Sequence, residues 1–115
     1  MDNQEKETLD RIHEQVTNNP VVIYMKGTPQ MPSCGFSSRT AQAMVETGEK
    51  FAFVNVLADP LIFEYLPKYQ DWPTFPQVYI GGELQGGCDI TLELAESGEL
   101  KTQMAKANEA VSEEA

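Results

Sequence analysis

Cysteine is scarce in this 115-residue chain, which carries two, and histidine is scarcer, with one. No C-x-x-C or H-x-x-H spacing occurs, which disfavours a zinc site built from four ligands of one chain. Basic residues are few as well: Lys and Arg total 8 against 18 Asp and Glu, a net charge of -10. Such a chain repels phosphate backbones, so no nucleic-acid partner is expected. Long apolar runs are missing too. None approaches the roughly 20 residues of a spanning helix, so no membrane partner is expected. Residues 1–19 are polar and acidic, without the apolar centre of a signal peptide. The expectation is a chain with no secretory leader. Its two cysteines then point to a reducing compartment, most simply the cytoplasm.

What is present suffices for one small domain, with 41% hydrophobic residues to fill a single core. Leu9, Ile12 and Val16 fall at helical spacing, so residues 3–18 read as an amphipathic helix ended by Asn18, Asn19 and Pro20. Val21–Met25 (VVIYM) is a continuous apolar run of strand length, suited to an inner strand. A Pro- and Gly-containing loop follows, then a helix from about Cys34 to Thr47, with Phe36, Ala43 and Met44 assigned to one face and Gly48 as its stop. Phe51–Val56 reads as a second strand. Asp59 and Pro60 form a cap and first-turn pair for a helix through Lys68. Asp71–Gln77 holds two prolines and reads as irregular. Gly81-Gly82 joins QVYI to ELQG in a two-residue hairpin. Asp89 is assigned as the cap of the next helix, Ser97-Gly98 as a break, and Leu100 with Met104 to a last helix. The domain is placed at 1–110, with 111–115 an acidic tail expected to be disordered.

The order α, β, α, β, α, β, β, α, α demands a parallel first pair with a right-handed crossover, to which the hairpin adds antiparallel strands. The fold class is α/β: a mixed four-stranded sheet flanked by helices, the pattern of a thioredoxin-like domain. In such a sheet three loops lie at one end, carrying Cys34, Thr74-Phe75-Pro76 and Gly86-Gly87-Cys88-Asp89. Cys34 sits in "MPSCGFSSR", where a redox dithiol would put its second cysteine at position 37 and Ser37 stands instead. At a helix N-terminus, orphan amides and the helix dipole favour the thiolate, which is both nucleophile and metal ligand. A buried, inert cysteine is the plain alternative. The flanking Pro32-Ser33 and Gly35 argue against it, because they suit an exposed turn.

From about Val21 to Leu100 the sequence strongly resembles the monothiol glutaredoxins. The match is carried by "CGFS" (Cys34 to Ser37), the preceding "MKGTPQMPS" with Lys26, "WPTFPQ" (Trp72 to Gln77) and "GGCD" (Gly86 to Asp89). The resemblance implies a glutathione site. Lys26 would reach the glycine carboxylate. Pro76 would be cis, turning the Phe75 N–H and C=O toward an extended tripeptide that pairs with them as an added strand. Thr74 belongs to the same loop, and Trp72 is read as packing. The Cys88 and Asp89 amides would hold the γ-glutamyl carboxylate, and the Asp89 carboxylate its ammonium. Cys88 reads as a small buried residue, with a resolving thiol for Cys34 as the alternative. One position departs from the family: an arginine common in its members aligns with Phe63, so glutathione would be held more weakly or with another partner, such as Gln77.

The missing second cysteine shapes the mechanism that the resemblance implies. One cysteine per chain falls short of the four ligands of a [2Fe–2S] cluster. Two chains and two glutathione thiolates supply them, as in the family's cluster-bridged homodimer. The family also pairs with BolA-like proteins and passes clusters to recipient apo iron–sulfur proteins. The leading expectation is therefore a glutathione-ligated [2Fe–2S] carrier with Cys34 as metal ligand. A glutathione-dependent thiol–disulfide oxidoreductase with Cys34 as the catalytic thiol is the rival. A binding module with a vestigial Cys34 is the third reading.

Overall fold

The structure is a computed structural model that describes residues 2–114, with side chains through residue 110. Its elements are α1 (Asn3–Asn18), β1 (Val21–Met25), α2 (Gly35–Glu46), β2 (Ala52–Asn55), α3 (Pro60–Tyr69), β3 (Gln77–Ile80), β4 (Glu83–Gly86), α4 (Cys88–Ser97) and α5 (Glu99–Glu114), with a 3-10 turn at Val56–Ala58. The strands lie in the order β2-β1-β3-β4, with β1 parallel to β2 and antiparallel to β3, and β3 antiparallel to β4. This is the thioredoxin-like arrangement expected from the element order.

β1 is buried at all five positions because it is central and covered on both faces. Alternate side chains enter different cores. Val21, Ile23 and Met25 pack with Met44, Leu100 and Met104 under α2 and α5. Val22 and Tyr24 pack with Ile12, Val16, Ile62 and Leu66 under α1 and α3. Each such aliphatic residue, once fully buried, stabilises the fold by about 1.5–3 kcal/mol.

Several ends differ from expectation. Asn55 closes β2 early: its side-chain oxygen accepts from the Leu57 N–H at 3.0 Å and turns the chain into the 3-10 segment. Phe36 is 54% exposed and does not share the buried face of Ala43 and Met44; it lies in the first turn of α2 with the Arg39 guanidinium over its ring. The cap of α4 is Gly87, with no side-chain cap bond. Asp89 is instead the second residue of the helix, because the chain already turns helical at Cys88. The expected disordered tail falls largely on residues whose side chains are not described; the backbone of α5 is helical to Glu114, and Ala115 lies outside the described residues. No helix among the described residues is long and apolar enough to cross a membrane.

Candidate functional site

Topology places the site. β1 ends at Met25, its antiparallel neighbour β3 begins at Gln77, and β4 ends at Gly86, so the segments beyond these residues share one sheet edge. They enclose an open groove of about 700 Å³ lined by Lys26, Cys34, Thr74, Phe75, Pro76, Cys88 and Asp89, together with Phe36, Phe63, Trp72 and Ile90. All seven residues singled out from the sequence therefore meet at one place. A second groove of about 660 Å³ runs between α2, α4 and α5, past Arg39, Glu46 and Lys101, and does not include Cys34.

The loop before Cys34 is tightly closed. Ser33 N–H donates to the Lys26 carbonyl at 2.9 Å, and Thr28 and Met31 exchange backbone bonds at 3.2 and 3.1 Å. Gly27 has φ +93°, and a Cβ there would lie 2.5 Å from the Met31 oxygen, so only glycine fits. This closure sets Cys34 as the N-cap of α2 with extended backbone angles. The thiol is part-exposed and forms no cap hydrogen bond of ordinary length. It is nonetheless held below its ordinary value of 9.0. The Ser37 N–H is the main cause, followed among the favourable groups by the Phe36 N–H, the Ser37 hydroxyl and the Lys26 ammonium, with burial opposing them.

Ser37 adjoins the thiol, and sequence reasoning treated it only as the absence of a cysteine. It is fully buried, and its Oγ accepts the Lys26 N–H at 3.1 Å, tying the end of β1 to the first turn of α2. Its place three residues after the cap was the available signal, since that position faces the cap.

Across the groove the Phe75–Pro76 peptide bond is cis. Among the described residues the Phe75 N–H and C=O form no hydrogen bond, which leaves both free for a ligand strand. The loop is held from beneath by Gln77, which is fully buried. Its Nε2 donates to the Trp72 and Thr74 carbonyls at 2.9 and 3.3 Å, and its Oε1 accepts from the Tyr79 hydroxyl at 2.8 Å. Both ends of the amide are thus engaged inside the protein. Gln77 does not face the groove, which removes it as a substitute ligand for the position of Phe63.

The third wall is the start of α4. A Cβ on Gly87 would lie 3.2 Å from the Pro76 oxygen and 3.6 Å from Trp72 Nε1, so the glycine lets the two loops touch. Trp72 Nε1 is buried there with no hydrogen-bond partner among the described residues. Cys88 is buried and, like Cys34, a free thiol. Asp89 is exposed and forms no hydrogen bond among the described residues, so its carboxylate is not drawn off by capping. His13 Nδ1 pairs with the Tyr69 hydroxyl at 2.8 Å, away from the groove. Among the described residues no three His, Cys, Asp or Glu side chains are grouped to hold a metal ion.

A helix-capping, thiolate-prone cysteine facing a cis-proline loop on this sheet defines a thiol-dependent protein of the thioredoxin-like class. Comparison with known proteins narrows the class. The glutaredoxin family model matches residues 21–85. Glutaredoxin 4 of Escherichia coli (strain K12) is 51% identical over 94 residues, 82% of this chain and 82% of that protein. Glutaredoxin 4 of Buchnera aphidicola is 55% identical over 98 residues, 85% of this chain and 91% of that one. A buckwheat glutaredoxin–glutathione complex superposes with a TM-score of 0.82 at 25% identity, covering 94% of this chain and 96% of that chain. Reduced apo GrxS14 of poplar gives 0.70 at 48% identity, covering 89% and 91%. The chain belongs to the glutaredoxin family, and within it to the monothiol type.

Proposed function

We propose that this glutaredoxin binds glutathione in the Cys34 groove and, with it, carries a [2Fe–2S] cluster between two copies of the chain for transfer to apo-proteins. The observation that carries the reading is a single accessible, thiolate-prone cysteine with a buried serine where a second thiol would stand. The groove's ends suit a zwitterionic tripeptide. Lys26 offers a cation, the first turn of α4 offers amides to a carboxylate, and Asp89 offers an anion to an ammonium. The free Phe75 backbone groups offer strand pairing between them. Glutathione bound there would bring its own thiolate beside Cys34. Two chains and two glutathiones make the four sulfur ligands of the cluster.

Two of those ligands are small and exchangeable, so the cluster should leave readily, as a carrier requires. By the same reading the chain works in the cytoplasm, alternates its homodimer with a complex containing a BolA-like protein, and serves recipient iron–sulfur apo-proteins. The lowered Cys34 pKa also supports a second reading, a glutathione-dependent oxidoreductase acting on mixed disulfides.

Anaerobic reconstitution with iron, sulfide and glutathione tests the choice, with Cys34→Ser in parallel. A charge-transfer spectrum at dimer mass, dependent on glutathione and absent in the variant, is the expected result. No chromophore, together with glutathione-driven turnover that survives iron chelation, would move the assignment to the oxidoreductase.

A further inference from the structure

One wall of the groove is aromatic and carries a single cation. Phe63, in the first turn of α3, lines the groove and is 42% exposed. The core contacts of α3 come from Ile62, Tyr65 and Leu66, so burial of the helix does not require the Phe63 ring. That ring lies 5.4 Å from the Phe75 ring at an interplanar angle of 39°. The Lys26 ammonium stands 5.9 Å from its centroid, and Lys26 is the one cation lining the groove among the described residues. An ammonium over an aromatic face keeps N–H directions free for an anion. A charge and an apolar shelf are therefore available side by side, with Lys26 following β1 and Asp89 following β4 on the far side of β3.

We infer that Phe63 determines ligand specificity here. The groove takes γ-glutamyl-cysteinyl thiols whose C-terminal residue lays an apolar or aromatic side chain on the Phe63–Phe75 shelf while its carboxylate meets Lys26. The inference rests on the glutathione reading above and extends it from a C-terminal glycine to larger apolar residues. Glycine leaves the shelf uncovered. A phenylalanine in its place covers it, and offset ring contacts of this kind favour binding beyond simple area burial.

Calorimetric titration tests this with S-methylglutathione and its analogue bearing phenylalanine in place of glycine, both unable to exchange disulfides. The native protein should bind the phenylalanine analogue about two- to tenfold more tightly, the range of one aromatic contact. Phe63→Ala should bring the two ligands to equal affinity. Phe63→Arg exchanges the shelf for a second cation. It should tighten S-methylglutathione about tenfold, the scale of one added charge-assisted hydrogen bond, and abolish the preference. Native protein that binds S-methylglutathione as well as or better than the analogue overturns the inference and leaves the glutathione reading standing. So does a preference that survives Phe63→Ala. Failure of the native protein to bind either ligand overturns the glutathione reading and this inference with it.

Discussion

Gln77 gives the sharpest test of how the proline loop is held. In Gln77→Leu the Trp72 and Thr74 carbonyls lose their donor, and the Tyr79 hydroxyl loses its acceptor. Thr74 is exposed and Trp72 part-exposed, so their carbonyls can turn to water. Each lost bond then costs about 0.5–1.5 kcal/mol. Tyr79 is 0% exposed, and its stranded hydroxyl costs about 1–3 kcal/mol. The total is about 2–6 kcal/mol. Tyr79→Phe alone strands only the Gln77 Oε1, at about 1–3 kcal/mol. That corresponds to a fall of roughly 4–12 °C in Tm for a domain of this size. In the double variant the hydroxyl and its acceptor are both gone, so adding Tyr79→Phe to Gln77→Leu should cost nothing or stabilise. Urea unfolding of the four proteins measures this directly. Costs that add within about 0.5 kcal/mol would show that the two side chains are not coupled and refute the clamp. Glutathione affinity should fall in Gln77→Leu, where the loop is released, and change little in Tyr79→Phe, where Nε2 still holds it.

Two pH profiles test the electrostatics. Alkylation of Cys34 should show a midpoint below the ordinary 9.0, and Ser37→Ala, which removes the hydroxyl but keeps the Ser37 N–H, should move it only part of the way back. A native midpoint at or above 9.0 would show that the N–H groups of Ser37 and Phe36 and the Lys26 ammonium do not favour the thiolate. Arg11 grips Asp59 with two bonds of 2.7 and 3.2 Å, which, with the Ile62 N–H, holds the carboxyl below the ordinary 3.8. A depressed folded pKa means that the unfolded chain binds the proton more readily. The stability contribution is therefore complete above 3.8 and lost as pH falls through the folded value. Asp59→Asn keeps a capping oxygen and removes the charge. Its deficit should be on the order of 1 kcal/mol at pH 7, because the pair is part-exposed, and should vanish in acid. An equal deficit at both pH values would show that the charge is not what the pair contributes.

The elements were legible in the sequence where one local cause decided them. α1 and β1 run over the residues that periodicity and the apolar run marked, and Asp59-Pro60 starts α3 where a cap and a first-turn proline should. The Gly81-Gly82 turn was legible for the same reason: both residues adopt positive φ, +62° and +81°. The strand order β2-β1-β3-β4 came from the structure, whereas the parallel first pair and the antiparallel hairpin followed from element order and the crossover rule. Hence the meeting of the three loops could be inferred before any distance was known.

By itself, then, the sequence determined the fold class, the place of Cys34 at a helix N-terminus and the loops that surround it, because propensity, capping and topology act locally or through general rules. Only the tertiary structure decided what each side chain faces. It turned Gln77 inward to the Tyr79 hydroxyl, buried Ser37 against the Lys26 N–H, moved the α4 cap from Asp89 to Gly87, left Phe36 outside the core and set Phe63 against Phe75 beside Lys26. Each of these depends on which groups from distant segments compete for the same hydrogen bond or the same apolar surface. That competition exists only once the chain has closed on itself.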